Sequence, residues 1–294
     1  MKRTIKVLLV CLIVSAIAII LICGQEYRKT NKIANSLKGE LLFAYGKDGL
    51  YILTLPTEKL DNIAESENYS IVFPSYPSWS PGGKEIVLSQ YKENIGLLTI
   101  IRSANKTIKE LNDIKLDCDY PSWSPNGDYI AFLGRPIKSE YYNLYILSIN
   151  DMRYHMLSSI LAGPYRPMWS PDSSQIVFSS SDRRILIINV RGRDVEAIIP
   201  VGVSPAWSPD RNYVVYRARY SVYLHNFRNN TEKELISNLG FSDIRDFAWS
   251  PDSKFIAFKR LSESRSPIEI LSLDGRTKIK LKEFGNLRGL SWRY

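Results

Sequence analysis

Residues 120–132 read Tyr120-Pro121-Ser122-Trp123-Ser124-Pro125-Asn126-Gly127-Asp128-Tyr129-Ile130-Ala131-Phe132, and variants of this phrase recur along most of the 294-residue chain. Each further copy is centred on a tryptophan: Trp79, Trp169, Trp207, Trp249 and, in a truncated last copy, Trp292. These six tryptophans are all that the sequence contains, and 44, 46, 38, 42 and 43 residues separate them. Such a period indicates a repeat architecture with one small β-sheet per repeat.

Turn-forming residues follow each internal tryptophan. In Ser124-Pro125-Asn126-Gly127, the proline presets φ for the second turn position, the asparagine tolerates the third, and the glycine suits the fourth. Three later copies keep Ser-Pro-Asp but have Ser173, Arg211 or Ser253 in place of the last glycine. The sequence therefore predicts a β-hairpin at every copy, with slightly more strained turns in those three.

An apolar triplet begins seven residues after each internal tryptophan. Its first residue is always β-branched: Ile86, Ile130, Ile176, Val214 and Ile256. A constant offset across a tight turn places the tryptophan and the triplet on the two strands of one hairpin. We therefore predict that they are cross-strand partners, buried between neighbouring sheets.

The two ends of the repeat region determine the number of sheets. Strand-like segments at 41–43, 50–53 and 57–60 have no Trp-Ser-Pro phrase before them, whereas Trp292 has no strand after it. Pairing of the C-terminal strand with the N-terminal sheet completes both repeats and removes exposed sheet edges. We therefore predict an all-β fold over residues 39–294, a six-bladed β-propeller closed by pairing of the C-terminal strand with the first blade.

The first 38 residues lie outside the repeats. Three basic residues precede an uncharged apolar run, Val7–Cys23, which is long enough to span a bilayer as one helix. We interpret residues 1–24 as a transmembrane signal-anchor and residues 25–38 as a polar, basic tether; a cleaved signal peptide is the alternative. Basic residues flank the run on both sides, so charge alone leaves the topology open. The export-signal form of the N-terminus favours a propeller outside the cytoplasm, periplasmic or on the cell surface.

Charge is concentrated before the propeller. The net charge is +9 and the pI about 9.3, but residues 1–24 and 25–38 contribute three positive charges each, which leaves +3 for residues 39–294. A nucleic-acid-binding domain would carry a concentrated basic face, so we predict no nucleic-acid partner. Cys118 is the only cysteine of the propeller, which excludes a disulfide within it, and we interpret this cysteine as a small buried side chain.

The repeat resembles that of the TolB-type propellers, also called the WD40-like or PD40 repeat. The pattern Pro-x-Trp-Ser-Pro-Asp/Asn-Gly-x-x-Ile-Ala-Phe stands at 121–132 and, with variations, at 77–88, 167–178 and 205–216. Phe247 replaces the usual proline in the fifth copy, and the last copy lacks Ser-Pro. The resemblance implies the propeller fold. It implies less about function, because proteins with this repeat include a periplasmic envelope component and non-catalytic propellers beside peptidase domains.

Catalytic motifs are missing from the sequence. Peptidase relatives need an α/β-hydrolase domain with a Gly-x-Ser-x-Gly elbow and a later histidine, and the chain has neither the elbow nor room for the domain. We interpret His155 and His225 as structural or surface residues. The aspartates of the Ser-Pro-Asp phrases are separated by whole repeats, so we interpret them as turn formers rather than calcium ligands. We predict no cofactor and no metal site.

The central channel is the main candidate site, because the innermost strand of each propeller blade lines it. Residues three or four positions before each tryptophan should face the channel or its mouth. The candidates are Tyr76, Asp119, Tyr120, Tyr165, Arg166, Arg245, Asp246 and Arg288. Such a mixture suits a peptide or a small polar ligand; alternatively, the arginines only pair with the aspartates.

A weaker second candidate is the loop of residues 134–142, which holds Tyr141 and Tyr142. Protruding tyrosines are frequent in protein interfaces, although a loop also tolerates insertions without any function.

These observations favour a membrane-anchored, extracytoplasmic, monomeric propeller that acts as a non-catalytic binding or scaffold module of the cell envelope. Its partner would be an envelope protein or peptide. The alternatives are an enzyme of lyase or hydrolase type, with Tyr120, Arg166 and Arg245 as the first candidates, and a solute-sensing domain that uses the channel mouth.

Overall fold

The computed structural model describes residues 30–45, 49–63, 75–239, 244, 246–260, 265–285 and 287–293. Within these residues, six antiparallel sheets of four strands form the blades of a β-propeller. The first strands of neighbouring blades contact one another all the way around the ring. The predicted transmembrane segment lies outside the described residues, and among the described residues no helix is long and apolar enough to cross a membrane.

The four strands of each blade lie in order from the innermost to the outermost. Blade 1 contains β24 (Leu287–Arg293), β1 (Gly39–Tyr45), β2 (Gly49–Leu55) and β3 (Lys59–Asn62). Blade 2 contains β4 (Ser75–Trp79), β5 (Glu85–Lys92), β6 (Ile95–Arg102) and β7 (Ile108–Glu110). Blade 3 contains β8 (Asp117–Trp123), β9 (Tyr129–Arg135), β10 (Tyr142–Ser148) and β11 (Tyr154–Ala162).

The remaining blades follow the same order. Blade 4 contains β12 (Met168–Trp169), β13 (Gln175–Ser179), β14 (Ile185–Asn189) and β15 (Val195–Ile199). Blade 5 contains β16 (Val203–Trp207), β17 (Tyr213–Ala218), β18 (Ser221–Asn226) and β19 (Thr231–Ile236). Blade 6 contains β20 (Phe247–Trp249), β21 (Phe255–Lys259), β22 (Ser266–Ser272) and β23 (Lys278–Phe284). The inner strands begin at one end of the ring, which we call the mouth end, and end at the Ser-Pro turns of the other, the Ser-Pro end.

The predicted pairing of each internal tryptophan with the first residue of its triplet is confirmed. The cross-strand pairs are Trp79 with Ile86, Trp123 with Ile130, Trp169 with Ile176, Trp207 with Val214, and Trp249 with Ile256. All five tryptophans are buried, as are all five partners. One hairpin repeated at a fixed period therefore supplies much of the core of every blade.

The Ser-Pro turns are built by the serine. In blade 4, Ser170 Oγ accepts the amide N–H of Gln175 at 3.0 Å and donates to Asp172 Oδ1 at 2.7 Å. The turn residues that replace glycine lie in the left-handed region, with φ of 59° at Ser173 and 64° at Arg211. This conformation is costly for residues with a Cβ, which confirms the predicted strain. It also confirms these aspartates as turn formers.

Strand β24 closes the ring, as the sequence predicts. It pairs with β1, with Trp292 opposite Leu41. Arg293 forms an ion pair with Glu40 at 2.6 Å, and its guanidinium carbon lies 3.5 Å from the ring centroid of Trp79 in blade 2. The last strand thus joins blade 1 to blade 2 as well as to its own sheet.

The segment predicted as a polar tether contains a short helix, residues 30–36. Leu37 is buried among side chains of blades 1 and 6, and Ile33 and Ala34 pack against the same cluster. Ile33 also lies with Pro251 of a Ser-Pro turn around one cavity. The chain therefore enters the propeller at its Ser-Pro end, and part of the segment is bound to the domain rather than extended.

Candidate functional site

Six equivalent residues, each three positions before a tryptophan, approach the channel: Tyr76, Tyr120, Arg166, Ser204, Asp246 and Gly289. In four inner strands this residue has a positive φ, between 50° and 69°, and the pairing with the next strand shifts by one residue there. Such a β-bulge bends the strand and re-aims a side chain. The repeat thus creates six channel positions, and their different side chains determine the chemistry.

Arg166 crosses the channel. This residue is buried, with 4% of its surface exposed, and its Nη1 donates to the carbonyl oxygen of Leu290 in blade 1 at 3.0 Å. Its Nε lies 3.7 Å from Asp246 Oδ1 before blade 6, and its guanidinium carbon lies 5.8 Å from the ring centroid of Tyr76 in blade 2. One side chain from the start of blade 4 therefore contacts residues of three other blades across the channel.

Gly289 makes room for this arginine. A Cβ on Gly289 would lie 2.6 Å from Arg166 Nη2 and 2.6 Å from the Cα of Tyr76. The residue also has a φ of 69°, which glycine adopts without strain. We infer that the glycine of the last copy is required both by its backbone and by the close approach of the guanidinium.

The rings of Tyr76 and Tyr120 pack against each other in the channel wall. Their ring centroids are 4.2 Å apart, with 39° between the ring planes, and both residues are buried. Burial, with smaller contributions from Tyr76 and Asp119, raises the pKa of Tyr120. The phenol is therefore neutral over the physiological pH range.

Asp119 is buried beside this pair. Tyr91 Oη donates a short hydrogen bond to it, and the amide N–H of Tyr120 donates to its Oδ1 at 2.8 Å. Burial raises the pKa of Asp119 to about 6, although these hydrogen bonds act in the opposite direction. Of the predicted alternative, in which the channel arginines pair with the aspartates, the described residues show the pair of Arg166 with Asp246 but no arginine paired with Asp119.

An ion pair that the sequence did not reveal lies next to Asp119. Asp117 is paired across the strands with Arg135, whose Nη2 lies 2.7 Å from Asp117 Oδ2. Asp117 Oδ1 also accepts the amide N–H of Gly96 at 2.7 Å. The guanidinium of Arg135 lies over the ring of Tyr142, 4.6 Å from its centroid. Tyr142 therefore belongs to a mouth-end cluster rather than to a free loop.

The remaining candidates are more accessible. Tyr165 is half-buried, Arg288 is exposed, and Tyr141 is 58% exposed on the β9–β10 loop. Arg245 lies outside the described residues. The structure therefore divides the described candidates into a buried cluster around Arg166 and a set of accessible side chains at the mouth end. It does not join them in one open site.

A further feature of the mouth end is apolar, and sequence reasoning identified only Tyr141 of it. Among the described residues, eight large hydrophobic side chains are exposed. Five of them lie on mouth-end loops or at the mouth end of an outer strand, and together form what we call the mouth face: Ile137, Tyr141, Leu161, Val201 and Tyr220. The other three, Leu60, Met156 and Val195, lie along outermost strands. Blades 3 to 5 therefore concentrate exposed apolar side chains at one end.

The Ser-Pro end of the channel holds a cavity of about 360 Å³, which sequence reasoning also missed. All six tryptophans line it, together with residues of the Ser-Pro turns. Arg166 precedes Trp169 by three residues, so it lies at the inner end of this cavity, away from the turns. We call this space the tryptophan cavity.

The two histidines lie away from the channel. His155 is exposed, whereas His225 is buried, with its ring 4.8 Å from that of Phe227. Burial lowers the pKa of His225, with Glu232 opposing this effect. Over the described ranges, no three His, Cys, Asp or Glu residues are grouped so that they could hold a metal ion. Cys118 is buried, as predicted.

Comparison with protein families identifies this architecture. The family described as PD40, the TolB beta propeller domain, matches residues 62–294. The chain belongs to this family. A search of curated protein sequences gave no match.

Solved structures agree in fold. TolB from Acinetobacter baumannii superposes with a TM-score of 0.74 at 16% identity, over 86% of this chain and 66% of that one. The chain thus spans just under two thirds of that TolB. Putative TolB from Agrobacterium tumefaciens gives a TM-score of 0.66 at 15% identity, over 86% and 92% of the chains. An oligogalacturonate lyase in complex with manganese gives 0.53 at 10% identity, over 84% and 75%. At these identities the likeness shows the fold alone.

Proposed function

We propose that this propeller is a non-catalytic binding module of the cell envelope, and that its mouth face contacts a protein or peptide partner. The distribution of exposed apolar side chains supports this proposal. Single exposed apolar residues are normal on protein surfaces, but five of the eight in the described residues lie at the mouth end of blades 3 to 5. Exposed apolar side chains that are concentrated at one end of a domain mark an interaction site more often than scattered ones do.

The composition of the mouth face also fits a protein partner. Its two most exposed members are Tyr220, at 60%, and Tyr141, at 58%. Tyrosine is enriched in protein interfaces because it gives a large contact area and a hydroxyl group. Tyr165 and Arg288 lie at the same end and add polar groups, as the rim of an interface requires.

The place where the chain enters the propeller indicates which end of an anchored propeller would face the membrane. The helix of residues 30–36 packs at the Ser-Pro end, so a membrane span at residues 7–23 would hold that end toward the bilayer. The mouth face would then point away from the membrane, toward a partner in the periplasm or at the cell surface. We propose that residues 1–24 anchor a monomeric propeller in this orientation.

The enzyme alternative has less support from the site. Tyr120 and Arg166, two of the first candidates for catalysis, are buried in the cluster around Arg166. Asp119 has a raised pKa, but its carboxylate is occupied by hydrogen bonds and 4% exposed. A general base must reach the proton that it removes, and this geometry gives a substrate no access.

The proposal is tested by crosslinking and pull-down from native membranes with the full-length chain as bait. The double variant Tyr141→Ser/Tyr220→Ser removes the two most exposed members of the mouth face. Met156→Ser/Val195→Ser is the matched control, because it removes two exposed apolar side chains from outer strands. We expect the mouth variant to lose at least about 90% of the captured partner, since a tyrosine at a binding hot spot contributes about 2 kcal/mol or more, and we expect the control to retain it. Equal capture by both variants would contradict the proposal.

A further inference from the structure

We propose that the mouth end of blades 4 and 5 binds an acidic segment of the protein partner. This inference rests on the proposed function and adds the chemistry of the partner to it. The surface consists of three arginines and two members of the mouth face, and we call it the arginine patch: Arg183, Arg217, Arg219, Val201 and Tyr220. Its support comes from the continuity of these loops, their excess of positive charge and the exposure of their apolar side chains.

Hydrogen bonds and strand pairing join the loops of the arginine patch into one surface. The loop between β13 and β14 contains Arg183, whose carbonyl oxygen accepts the amide N–H of Gly202 at 2.7 Å. Val201 immediately precedes this glycine, and β16, which begins immediately after it, pairs its first residue with Arg217. Arg217 Nη1 in turn donates to the carbonyl oxygen of Arg219 at 3.3 Å. The loops of blades 4 and 5 are therefore direct neighbours.

Positive charge predominates in these loops. Residues 180–184, 199–202 and 217–221 contain four arginines and one acidic residue, Asp182. This aspartate is engaged by Arg184, whose Nε lies 2.8 Å from its Oδ2. Arg183 and Arg219 are exposed, and neither forms an ion pair with another residue in the described ranges. Two arginines at the mouth end of blades 4 and 5 are therefore available to acidic groups of a partner.

The mouth end of blade 3 has a different charge. Its Arg135 is paired with Asp117, and its exposed Lys138 lies two residues before the exposed Glu140. Basic and acidic side chains are thus balanced there. The excess of positive charge belongs to the part of the mouth face that blades 4 and 5 form.

The side chains of the arginine patch match an acidic protein segment. A planar guanidinium donates parallel hydrogen bonds to a carboxylate. Tyr220 directly follows Arg219 and is 60% exposed, and Val201 is 51% exposed. Arginine and tyrosine are enriched among the residues that contribute most to protein binding, whereas a simple polyanion would use the arginines alone. We therefore expect a partner segment in which aspartates or glutamates stand beside apolar residues.

Peptide binding to the full-length chain in uncharged detergent micelles tests this inference. The probe is a fluorescein-labelled synthetic peptide that is rich in glutamate and contains leucines, and the comparison peptide has glutamine at each glutamate. Fluorescence anisotropy should give a Kd at least about tenfold lower for the glutamate peptide. The difference should shrink at about 0.5 M salt, because salt screens exposed charges. Equal affinity for the two peptides would overturn the proposal.

Charge reversals locate the site. Arg183→Glu/Arg219→Glu should abolish the preference for the glutamate peptide. Arg191→Glu/Arg193→Glu is the matched control, because it makes the same change in net charge at two exposed arginines of the β14–β15 turn, at the Ser-Pro end. The control should change the Kd by less than about twofold, since exposed charges farther away than about 10 Å are largely screened. An equal loss in both double variants would mean that net charge alone attracts the peptide, and would overturn the proposal.

A further variant separates a protein segment from a simple polyanion. Val201→Ser should raise the Kd of the glutamate peptide by about threefold or more, because it removes apolar contact area. It should leave the binding of inorganic polyphosphate, measured by competition, unchanged. A peptide Kd that Val201→Ser does not change would indicate a site for polyanions in general and would contradict the proposal.

Circular dichroism verifies that each variant is folded. If Arg183→Glu/Arg219→Glu does not fold, the neutral variant Arg183→Gln/Arg219→Gln takes its place, and an unchanged preference in the folded variant would overturn the proposal. The peptide assay and the pull-down from native membranes are independent. Equal capture in the pull-down contradicts the proposed function, whereas a missing preference for glutamate contradicts the assignment of the arginine patch.

Discussion

Asp119 should make the stability of this propeller depend on pH in an unusual direction. Burial of its carboxyl group raises its pKa from an ordinary value of 3.8 to about 6, while hydrogen bonds from Tyr91 and from the Tyr120 amide oppose the rise. A tenfold change in proton affinity corresponds to about 1.4 kcal/mol. The buried carboxylate therefore costs the folded state about 3 kcal/mol at pH values above 6, relative to the protonated acid.

The sign of this pH dependence follows from the linkage between proton binding and folding. The folded protein binds the Asp119 proton more tightly than the unfolded chain does. The contribution of this tighter binding to the free energy of unfolding is fully present below about pH 4. That contribution is lost as the pH rises through 6. The variant Asp119→Asn carries no such proton and keeps an acceptor oxygen for Tyr91. The free energy of unfolding of the wild type, minus that of the variant, should fall by about 2.4 kcal/mol between pH 4 and pH 7.

Urea unfolding followed by tryptophan fluorescence, at a series of pH values, measures this difference. Burial also lowers the pKa values of His155 and His225, but both histidines are present in the two proteins and their effects cancel in the difference. Asp172→Asn is a control of opposite sign, because hydrogen bonds from Ser170 and Ser174 overcome the effect of burial and lower the pKa of Asp172. A difference for Asp119→Asn that is flat, or that rises with pH, would refute the assigned environment.

Two further predictions concern the closing strand. Deletion of Gly289–Tyr294 should lower the Tm by at least about 5 °C, because loss of the buried Leu290 alone costs about 2–5 kcal/mol. The control substitution Arg288→Ala, at an exposed residue, should change the Tm by less than about 2 °C. An unchanged Tm after the deletion would be incompatible with closure by β24. Gly289→Ala should destabilise the domain by about 2 kcal/mol or more, since a Cβ at φ 69° would also meet Arg166 and Tyr76. Chemical denaturation measures this cost, and a variant as stable as the wild type would show that the guanidinium does not occupy this space.

The fold could be predicted in detail because its determinants are local and repeated. The phrase around Trp123 holds a turn, a tryptophan and its cross-strand partner within eleven residues, so one hairpin is determined by neighbours in sequence. The repetition of this hairpin then predicted the blades, and the incomplete repeats at the two ends predicted that the ring closes through the C-terminal strand. The same reasoning missed the helix of residues 30–36, whose partly exposed Ile33 and Ala34 pack against the cluster of blades 1 and 6.

The candidate site was predictable only as a set of positions. The repeat determined that the residues three before each tryptophan approach the channel, and the sequence named which side chains stand there. It could not show that Arg166 reaches the carbonyl oxygen of Leu290, 124 residues away, or that Asp119 takes its hydrogen bonds from Tyr91. Those contacts depend on how six blades meet around one axis. The ring alone decided which donors find acceptors, and which apolar loops share the mouth face, because these properties join residues from different blades.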